Sequence, residues 1–145
     1  IKMSDSLQSL MYGMQFRRLL EKRYESVETR YGLYNIDILI LLYLDRAGQF
    51  NTSKDIMKLN MFTKGHISQA LSRLQKKGYI KIEQDSEDRR YAHNYLTEEA
   101  SPIMEKVKKI SREIRETIME GVTEEERKTL TELAEKVMGN LERVL

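Results

Sequence analysis

The sequence lacks several residue types, and each absence narrows what the protein can be. Its 145 residues include no cysteine and no tryptophan, one proline and only seven glycines. Without cysteine, disulfides, thiolate metal sites and thiol-based oxidant sensing are excluded. So few helix-breaking residues favour long helices over many short strands. No run of about 18 apolar residues occurs, which argues against a membrane-spanning helix.

The remaining composition is that of a small globular protein. Hydrophobic residues make up 40% of the chain and charged residues 33%, enough for both a core and a solvated surface. The length predicts one domain, over residues 1–145. No signal-peptide pattern opens the sequence. We therefore expect a cytoplasmic, mainly helical protein that does not associate with membranes.

The charge is unevenly distributed along the chain. The formal net charge is only +2, but residues 51–95 carry nine Lys/Arg against five Asp/Glu, a net of +4. Residues 96–145 carry nine against twelve, a net of −3. A basic middle and an acidic end permit an anionic partner at the middle of the chain.

Helical periodicity dominates the first third of the sequence. Apolar residues recur at three- and four-residue steps from Leu7 to Val27, and Gly32 is suited to end that helix. A second helix is predicted over residues 35–46. It is apolar on nearly every side, so we expect it to lie at the centre of the core.

Two further helices are predicted before residue 78. Thr52 and Ser53 can cap a short helix through about Lys58, and Thr63 can cap a longer one to about Lys77. The longer helix is amphipathic. Its predicted inner face is Ile67, Ala70, Leu71 and Leu74, and its outer face is Lys64, His66, Ser68, Gln69, Ser72, Arg73 and Gln75.

The period then changes to that of a β-hairpin. Residues 79–83 and 91–96 alternate as strands, and a polar loop, Q-D-S-E-D-R-R, joins them. Arg89 and Arg90 fall close to its tip. We expect this two-stranded ribbon to be the only β-structure.

The last third is predicted to be two long helices. Either Thr97 or Ser101 can cap the first; Pro102 would then fall at the fifth or at the first helical position. Thr123 and Glu126 form a T-x-x-E capping box for the second. Apolar stripes run from Ile103 to Ile118 and from Leu130 to Val144.

This order of elements is that of a winged helix-turn-helix. A helix entering the DNA major groove needs a polar outer face and an apolar inner face, and residues 63–77 supply both. A hairpin with a long cation near its tip can reach the neighbouring minor groove, whose negative potential attracts arginine. Arg89 and Arg90 meet that requirement.

The motifs resemble those of the MarR family of bacterial transcription regulators. Three features are similar to those of the family. They are the segment over residues 63–80, T-K-G-H-I-S-Q-A-L-S-R-L-Q-K-K-G-Y-I, the D-x-x-D-x-R pattern of Asp85, Asp88 and Arg90, and the L-T-E junction that begins at Leu96. The resemblance implies a homodimer that binds a near-palindromic operator in double-stranded DNA, most often as a repressor. Residues 33–96 would form the winged lobe, and residues 1–31 and 97–145 the dimerisation helices.

The resemblance also implies which residues meet DNA. Major-groove contacts are carried over to Thr63, Lys64, Gly65, His66, Ser68 and Gln69. Arg73 would meet a phosphate, and Arg89 is a second candidate for such a contact. Arg90 would enter the minor groove, with Asp88 orienting it.

Several alternatives remain open from the sequence. His66 is interpreted as a DNA-facing residue rather than a bystander or a metal ligand, and His93 as an exposed strand residue; no metal or other cofactor is expected. Tyr12, Tyr24, Tyr31 and Tyr34 lie near the family's ligand cleft, where we expect a small organic effector or none. An antirepressor or decoy dimer that binds protein instead of DNA is the second hypothesis. An enzyme is not expected, because no catalytic motif is present.

Overall fold

The computed structural model describes Ser6, Leu10 and residues 13–145. They form two compact units, which divide between Ser111 and Arg112. Within the described residues, six α-helices and one two-stranded antiparallel ribbon are present, and the predicted fold class is confirmed. The elements are α1 (Met14–Tyr31), α2 (Asn35–Ala47), α3 (Ser53–Met57), α4 (Lys64–Lys76), β1 (Ile80–Gln84), β2 (Ala92–Leu96), α5 (Ser101–Ile118) and α6 (Glu124–Val144).

Glycines mark both ends of α1. Gly32 takes a left-handed conformation and its N–H bonds to the carbonyl of Glu28, so the predicted stop is confirmed. Gly13 has a φ of 65° and separates α1 from the helical residue Leu10. The prediction of one unbroken helix from Leu7 to Val27 is therefore wrong at Gly13. Of its earlier positions, Leu7 and Met11 lie outside the described residues.

The core of the first unit is built around α2, as its composition predicts. Ile38, Ile40 and Leu41 are at most 1% exposed. The same buried cluster also contains Leu44 of α2 and apolar side chains from the rest of this unit, namely Tyr24, Val27, Leu33, Ile56, Ile67, Ala70, Leu71, Leu74, Ile80, Ala100, Ile103, Met104 and Val107.

Part of the apolar surface assigned to dimerisation is used inside this core. Tyr24 and Val27 of α1 and Ile103 and Val107 of α5 are at most 3% exposed within a single chain. These positions hold α1 and α5 against the winged lobe. They do not form a partner surface, so that part of the expectation is corrected.

Two threonines fix where α3 and α4 begin. The Thr52 hydroxyl accepts a hydrogen bond from the N–H of Asp55, and the Thr63 hydroxyl accepts one from the N–H of His66. Each satisfies a backbone donor that has no partner within its own helix. Both caps are as predicted from the sequence.

The ribbon is antiparallel, with Ile80 opposite Leu96 and Gln84 opposite Ala92. Both strands lie within one residue of their predicted bounds. β2 is also joined to the segment before α3: the Asn94 N–H and side-chain amide donate to the Asn51 carbonyl at 3.1 and 2.8 Å. The base of the ribbon is thereby fixed to the helix-turn-helix.

The structure resolves how the chain enters α5. Thr97 precedes a 3₁₀ turn over Glu98–Ala100, which runs directly into the α-helix at Ser101. The Thr97 hydroxyl donates to the Gly78 carbonyl at 2.6 Å, so it does not cap the turn. Pro102 falls in the first turn of α5, where a missing N–H costs little.

The second unit holds the end of α5 and all of α6. The predicted capping box is present: the Thr123 hydroxyl accepts from the N–H of Glu126, and the Thr123 N–H donates to the Glu126 carboxylate. Every residue of α6 is exposed. Over the described part of the chain, no helix is both long enough and apolar enough to cross a membrane.

Candidate nucleic-acid interface

Helix α4 separates its side chains into two faces. Ile67, Ala70, Leu71 and Leu74 are buried, at most 5% exposed. This spacing of three and four residues places them on one side of the helix. The opposite side therefore carries polar residues into solvent, and it is long enough to lie along a groove of DNA.

The structure brings the predicted major-groove residues together. Thr63 caps α4, and the others occupy its first two turns, where each side chain or glycine is exposed. They are Lys64, Gly65, His66, Ser68 and Gln69. Their arrangement matches the predicted surface, and their contact with DNA remains a prediction.

The loop between β1 and β2 is folded by aspartates. One Asp85 carboxylate oxygen accepts from the N–H groups of Glu87 and Asp88, at 2.8 and 2.9 Å. The Asp85 N–H donates to the Tyr91 carbonyl and closes the loop. Short acidic side chains favour this type of turn because they replace a missing backbone partner. The loop conformation is therefore encoded by the D-x-x-D pattern.

Arg90 is held by Asp88, as predicted. Its Nε donates to Asp88 Oδ1 at 3.0 Å and its Nη2 donates to Asp88 Oδ2 at 2.7 Å. This bidentate pairing lowers the pKa of Asp88 and raises the pKa of Arg90. Because the Arg90 side chain is 82% exposed, the guanidinium remains accessible to an anionic partner.

Arg89 is the second exposed cation of the wing loop. Its carbonyl accepts a hydrogen bond from Gln84 Nε2 at 3.1 Å, which fixes the backbone at the end of β1. The side chain faces solvent, as a phosphate contact requires. That role stays a prediction.

His93 was predicted to be an exposed strand residue, and this is wrong. Its Nε2 lies 2.7 Å from Asp85 Oδ2, and its Nδ1 lies 2.5 Å from Asn51 Oδ1. Because a carboxylate only accepts, Nε2 carries the proton of the bond to Asp85. This bond, with those from the loop backbone, lowers the pKa of Asp85 to about 2. The imidazole thus connects the wing loop to the segment before α3.

The side chain of Arg73 also makes a different interaction from the predicted one. Instead of projecting freely toward a phosphate, it donates from Nη2 to Asp37 Oδ1 at 2.6 Å and from Nε to Asp37 Oδ2 at 3.2 Å. Asp37 is fully buried, and the bond to it raises the pKa of Arg73. Sequence analysis missed Asp37. The available signal was a single acid in the apolar run I-D-I-L-I-L-L.

An open cavity of about 550 Å³ lies beside this pair. Tyr34 lines it, whereas Tyr24 is a core residue whose hydroxyl bonds to Ser111 and Tyr31 is half-buried. Tyr12 lies outside the described residues. The other lining residues are Arg17, Glu21, Asn35, Ile36, Met61, Phe62, Thr63, His66, Gln69 and Arg73. Among Tyr24, Tyr31 and Tyr34, which the structure describes, Tyr34 is thus the one that lines this cavity.

A helix-turn-helix followed by a two-stranded wing defines the winged-helix class. The MarR family model matches residues 31–90. A MarR/EmrR family transcriptional regulator from Acinetobacter sp. ADP1 is 22% identical with a TM-score of 0.77, over 96% of this chain and 97% of that one. The match to the family model covers the winged-helix segment of the chain, and the resemblance to the MarR family found in the sequence is confirmed.

Two other solved structures have the same fold. A MarR transcriptional regulator from Methanosarcina mazei Go1 is 23% identical with a TM-score of 0.71, over 94% of this chain and 92% of that one. MepR of S. aureus, in complex with DNA, is 22% identical with a TM-score of 0.74, over 95% of this chain and 96% of that one. The fold of this chain is therefore that of MarR-family transcriptional regulators.

Proposed function

We propose that this protein is a sequence-specific DNA-binding regulator of transcription. The observation that carries the proposal is the exposed polar face of α4 in the same lobe as a wing whose Arg90 is held outward by Asp88. The net charge of +4 over residues 51–95 favours an anionic partner. The MepR–DNA complex, of similar fold, supports the same assignment.

The exposed residues divide into two roles. Side chains of the first turns of α4 can reach base edges in the major groove, where each base pair has a distinct pattern of donors and acceptors. Arg90 can enter the minor groove, and Asp88 limits the conformations that its guanidinium must lose on binding. Arg89 can pair with a phosphate. The first role supplies sequence preference, and the cations supply most of the affinity.

The regulator is proposed to act as a homodimer. Leu130, Leu133, Val137 and Leu141 are 44–52% exposed along α6, and a helix this apolar on one side needs a partner. Two copies related by a twofold axis would present two α4 helices to successive major grooves, so the operator should be a near-palindrome. Such a regulator would act in the cytoplasm, together with its DNA, and no catalytic role is proposed.

Repression controlled by a small organic effector is part of the proposal. The cavity beside Tyr34 and Arg73 offers an aromatic ring and a cation to such a compound. A ligand changes DNA affinity only if it binds one spacing of the dimer's two α4 helices better than another. A thermal-shift screen of small aromatic acids, repeated with operator DNA present, tests this. A compound that shifts both stability and DNA affinity supports it, and the absence of any such compound contradicts it.

DNA binding is tested by selecting genomic fragments on the purified protein and measuring affinity as a function of salt. We expect log affinity to fall linearly with log salt. Arg90→Ala should weaken operator binding by about 1–3 kcal/mol, and Arg89→Ala should reduce the salt slope by roughly 0.9. Arg115→Ala, the same change at an exposed arginine of α5, is the control and should alter neither quantity.

Two results would contradict the proposal. One is a protein that retains no genomic fragment even at low salt. The other is capture of a second regulator by a protein that binds no DNA, which would identify the antirepressor or decoy instead.

A further inference from the structure

The N-terminal end of α2 contains a fully buried carboxylate with two separate tasks. Asp37 Oδ2 accepts from the N–H of Tyr34 at 2.9 Å, and so caps α2. Both of its oxygens also accept from Arg73, 36 positions further along the chain. Asp37 therefore joins the start of α2 to the last turn of α4.

The bidentate ion pair between Asp37 and Arg73 fixes the relative position and orientation of the two side chains. A guanidinium is planar and rigid, and two parallel bonds to one carboxylate define its orientation as well as its distance. The ring of Tyr34 lies 4.5 Å from the Arg73 guanidinium carbon and contributes a cation–π contact. Because the carboxylate is wholly buried, loss of its partner would leave a charge without compensation.

The position of Arg73 along α4 connects it to the proposed reading face. Thr63, His66, Gln69 and Arg73 lie at steps of three and four residues and line the same cavity, so they share one side of the helix. The buried face of α4 is made of apolar contacts, which are not directional. Arg73 supplies a directional bond on the side that also bears His66 and Gln69.

We propose that Arg73 is a positioning residue and not a phosphate contact. Through Asp37 it sets the rotation of α4 about its own axis, and thereby the angle at which His66 and Gln69 meet base edges. This inference rests on the proposed function and names a determinant of its sequence preference. A cation neutralised by a buried carboxylate displaces no counterion from DNA, so it leaves the salt dependence of binding unchanged.

The two roles predict opposite signs for Asp37→Asn. If Arg73 were a phosphate contact held back by Asp37, neutralising the carboxylate would free a cation, raise affinity and steepen the salt slope. For a positioning residue, affinity for the operator should fall on the order of tenfold, because a charge-assisted bond is lost. The salt slope should stay that of the wild type, whereas Arg89→Ala lowers it.

The experiment compares four variants of the full chain. Asp37→Asn and Arg73→Lys, which keeps the charge but not the bidentate geometry, should lose affinity alike. The double variant should lose no more than either alone, as expected for two residues of one interaction. Asp45→Asn is the matched control: it breaks an ion pair from α2 to Lys108 of α5 without touching α4.

The readout that separates positioning from plain stabilisation is discrimination between the operator and a base-substituted operator. It should shrink in Asp37→Asn and Arg73→Lys and be unchanged in Asp45→Asn, all measured where each variant is folded by circular dichroism. Undiminished discrimination, a higher affinity with a steeper slope, or an equal effect of Asp45→Asn would each overturn the inference.

A DNA-independent measurement separates this inference from the proposed function. Residual dipolar couplings of the α4 amides vary periodically along the helix, and the phase of that variation reports the rotation of α4 about its own axis relative to α2 in the free protein. A changed phase in Asp37→Asn supports the positioning role even if no operator exists, and an unchanged phase overturns it.

Discussion

Asp85 is a central hydrogen-bond acceptor of the wing loop. It accepts from two backbone N–H groups and from His93. The hydrogen bond from His93 is the largest influence that lowers its pKa to about 2. A depressed carboxyl pKa means that the folded state favours the ionised form. Its stabilising effect is thus complete above the unfolded-state pKa of about 3.9 and is lost as the pH falls through about 2.

We expect His93→Gln to raise the pKa of Asp85 toward that unfolded value, because the bond from the imidazole is replaced by a weaker one. A carboxyl-carbon NMR titration measures this directly. Asp88, whose pKa Arg90 lowers, is the internal control and should keep its low value. Equal titration of Asp85 in the wild type and the variant would show that His93 does not stabilise the carboxylate.

The contacts of individual side chains were harder to predict from the sequence than the bounds of helices and strands, for a physical reason. The Asp88–Arg90 pair is two positions apart, so the local motif contains both partners. Asp37, the partner of Arg73, is 36 positions away in the sequence, and Asn51, one partner of His93, is 42 positions away. Such contacts depend on how elements pack, which periodicity does not specify. Both residues were therefore assigned to solvent or DNA although their partners lie within the chain.

At the scale of elements, N-terminal capping residues explain why the starts of three helices could be predicted. The predicted starts of α3, α4 and α6 are confirmed at Thr52, Thr63 and Thr123, because capping is a local interaction that three residues of sequence contain. The start of α5 stayed open between two caps. A 3₁₀ turn before Ser101 depends on the bond from Thr97 to Gly78, 19 positions away, and sequence spacing does not reveal it.

Thr123→Ala should destabilise α6 by roughly 1 kcal/mol, because the N–H of Glu126 loses its acceptor. Hydrogen exchange of the α6 amides measures this, with faster exchange expected in the first turn. Thr131→Ala is the matched control, since that hydroxyl bonds only to the Arg127 carbonyl within the helix. Protection that is equal in the two variants would mean that the cap does not set the stability of α6.

At the scale of the molecule, the apolar stripes of the long helices differ in how far they are buried within the chain. Those of α1 and α5 are largely consumed by the chain's own core, whereas α6 keeps its stripe exposed. Any self-association proposed for this chain must therefore rely on α6 more than the sequence indicated. Residues 96–145 carry a net charge of −3, so this segment repels its copy in a second chain and association should strengthen at higher salt.

Leu133→Glu should convert a dimer into a monomer, because it places a charge in the apolar face of α6 where the partner copy would bury it. Sedimentation equilibrium measures the change. Lys136→Glu alters the charge of the same helix by more and is the control, with no dissociation expected if its side chain faces solvent. A wild-type protein that sediments as a monomer at micromolar concentration would contradict the homodimer.

The tie between Asn51 and β2 has a consequence for colloidal behaviour. A two-stranded ribbon exposes two unpaired edges, and such edges can template aggregation. Here the backbone around Asn51 covers part of the β2 edge, through the bond from Asn94 and the bridge between Thr52 and His93. The other strand carries the paired charges of Lys81 and Glu83. The wing can therefore extend from the protein as an open hairpin while resisting growth into intermolecular sheets.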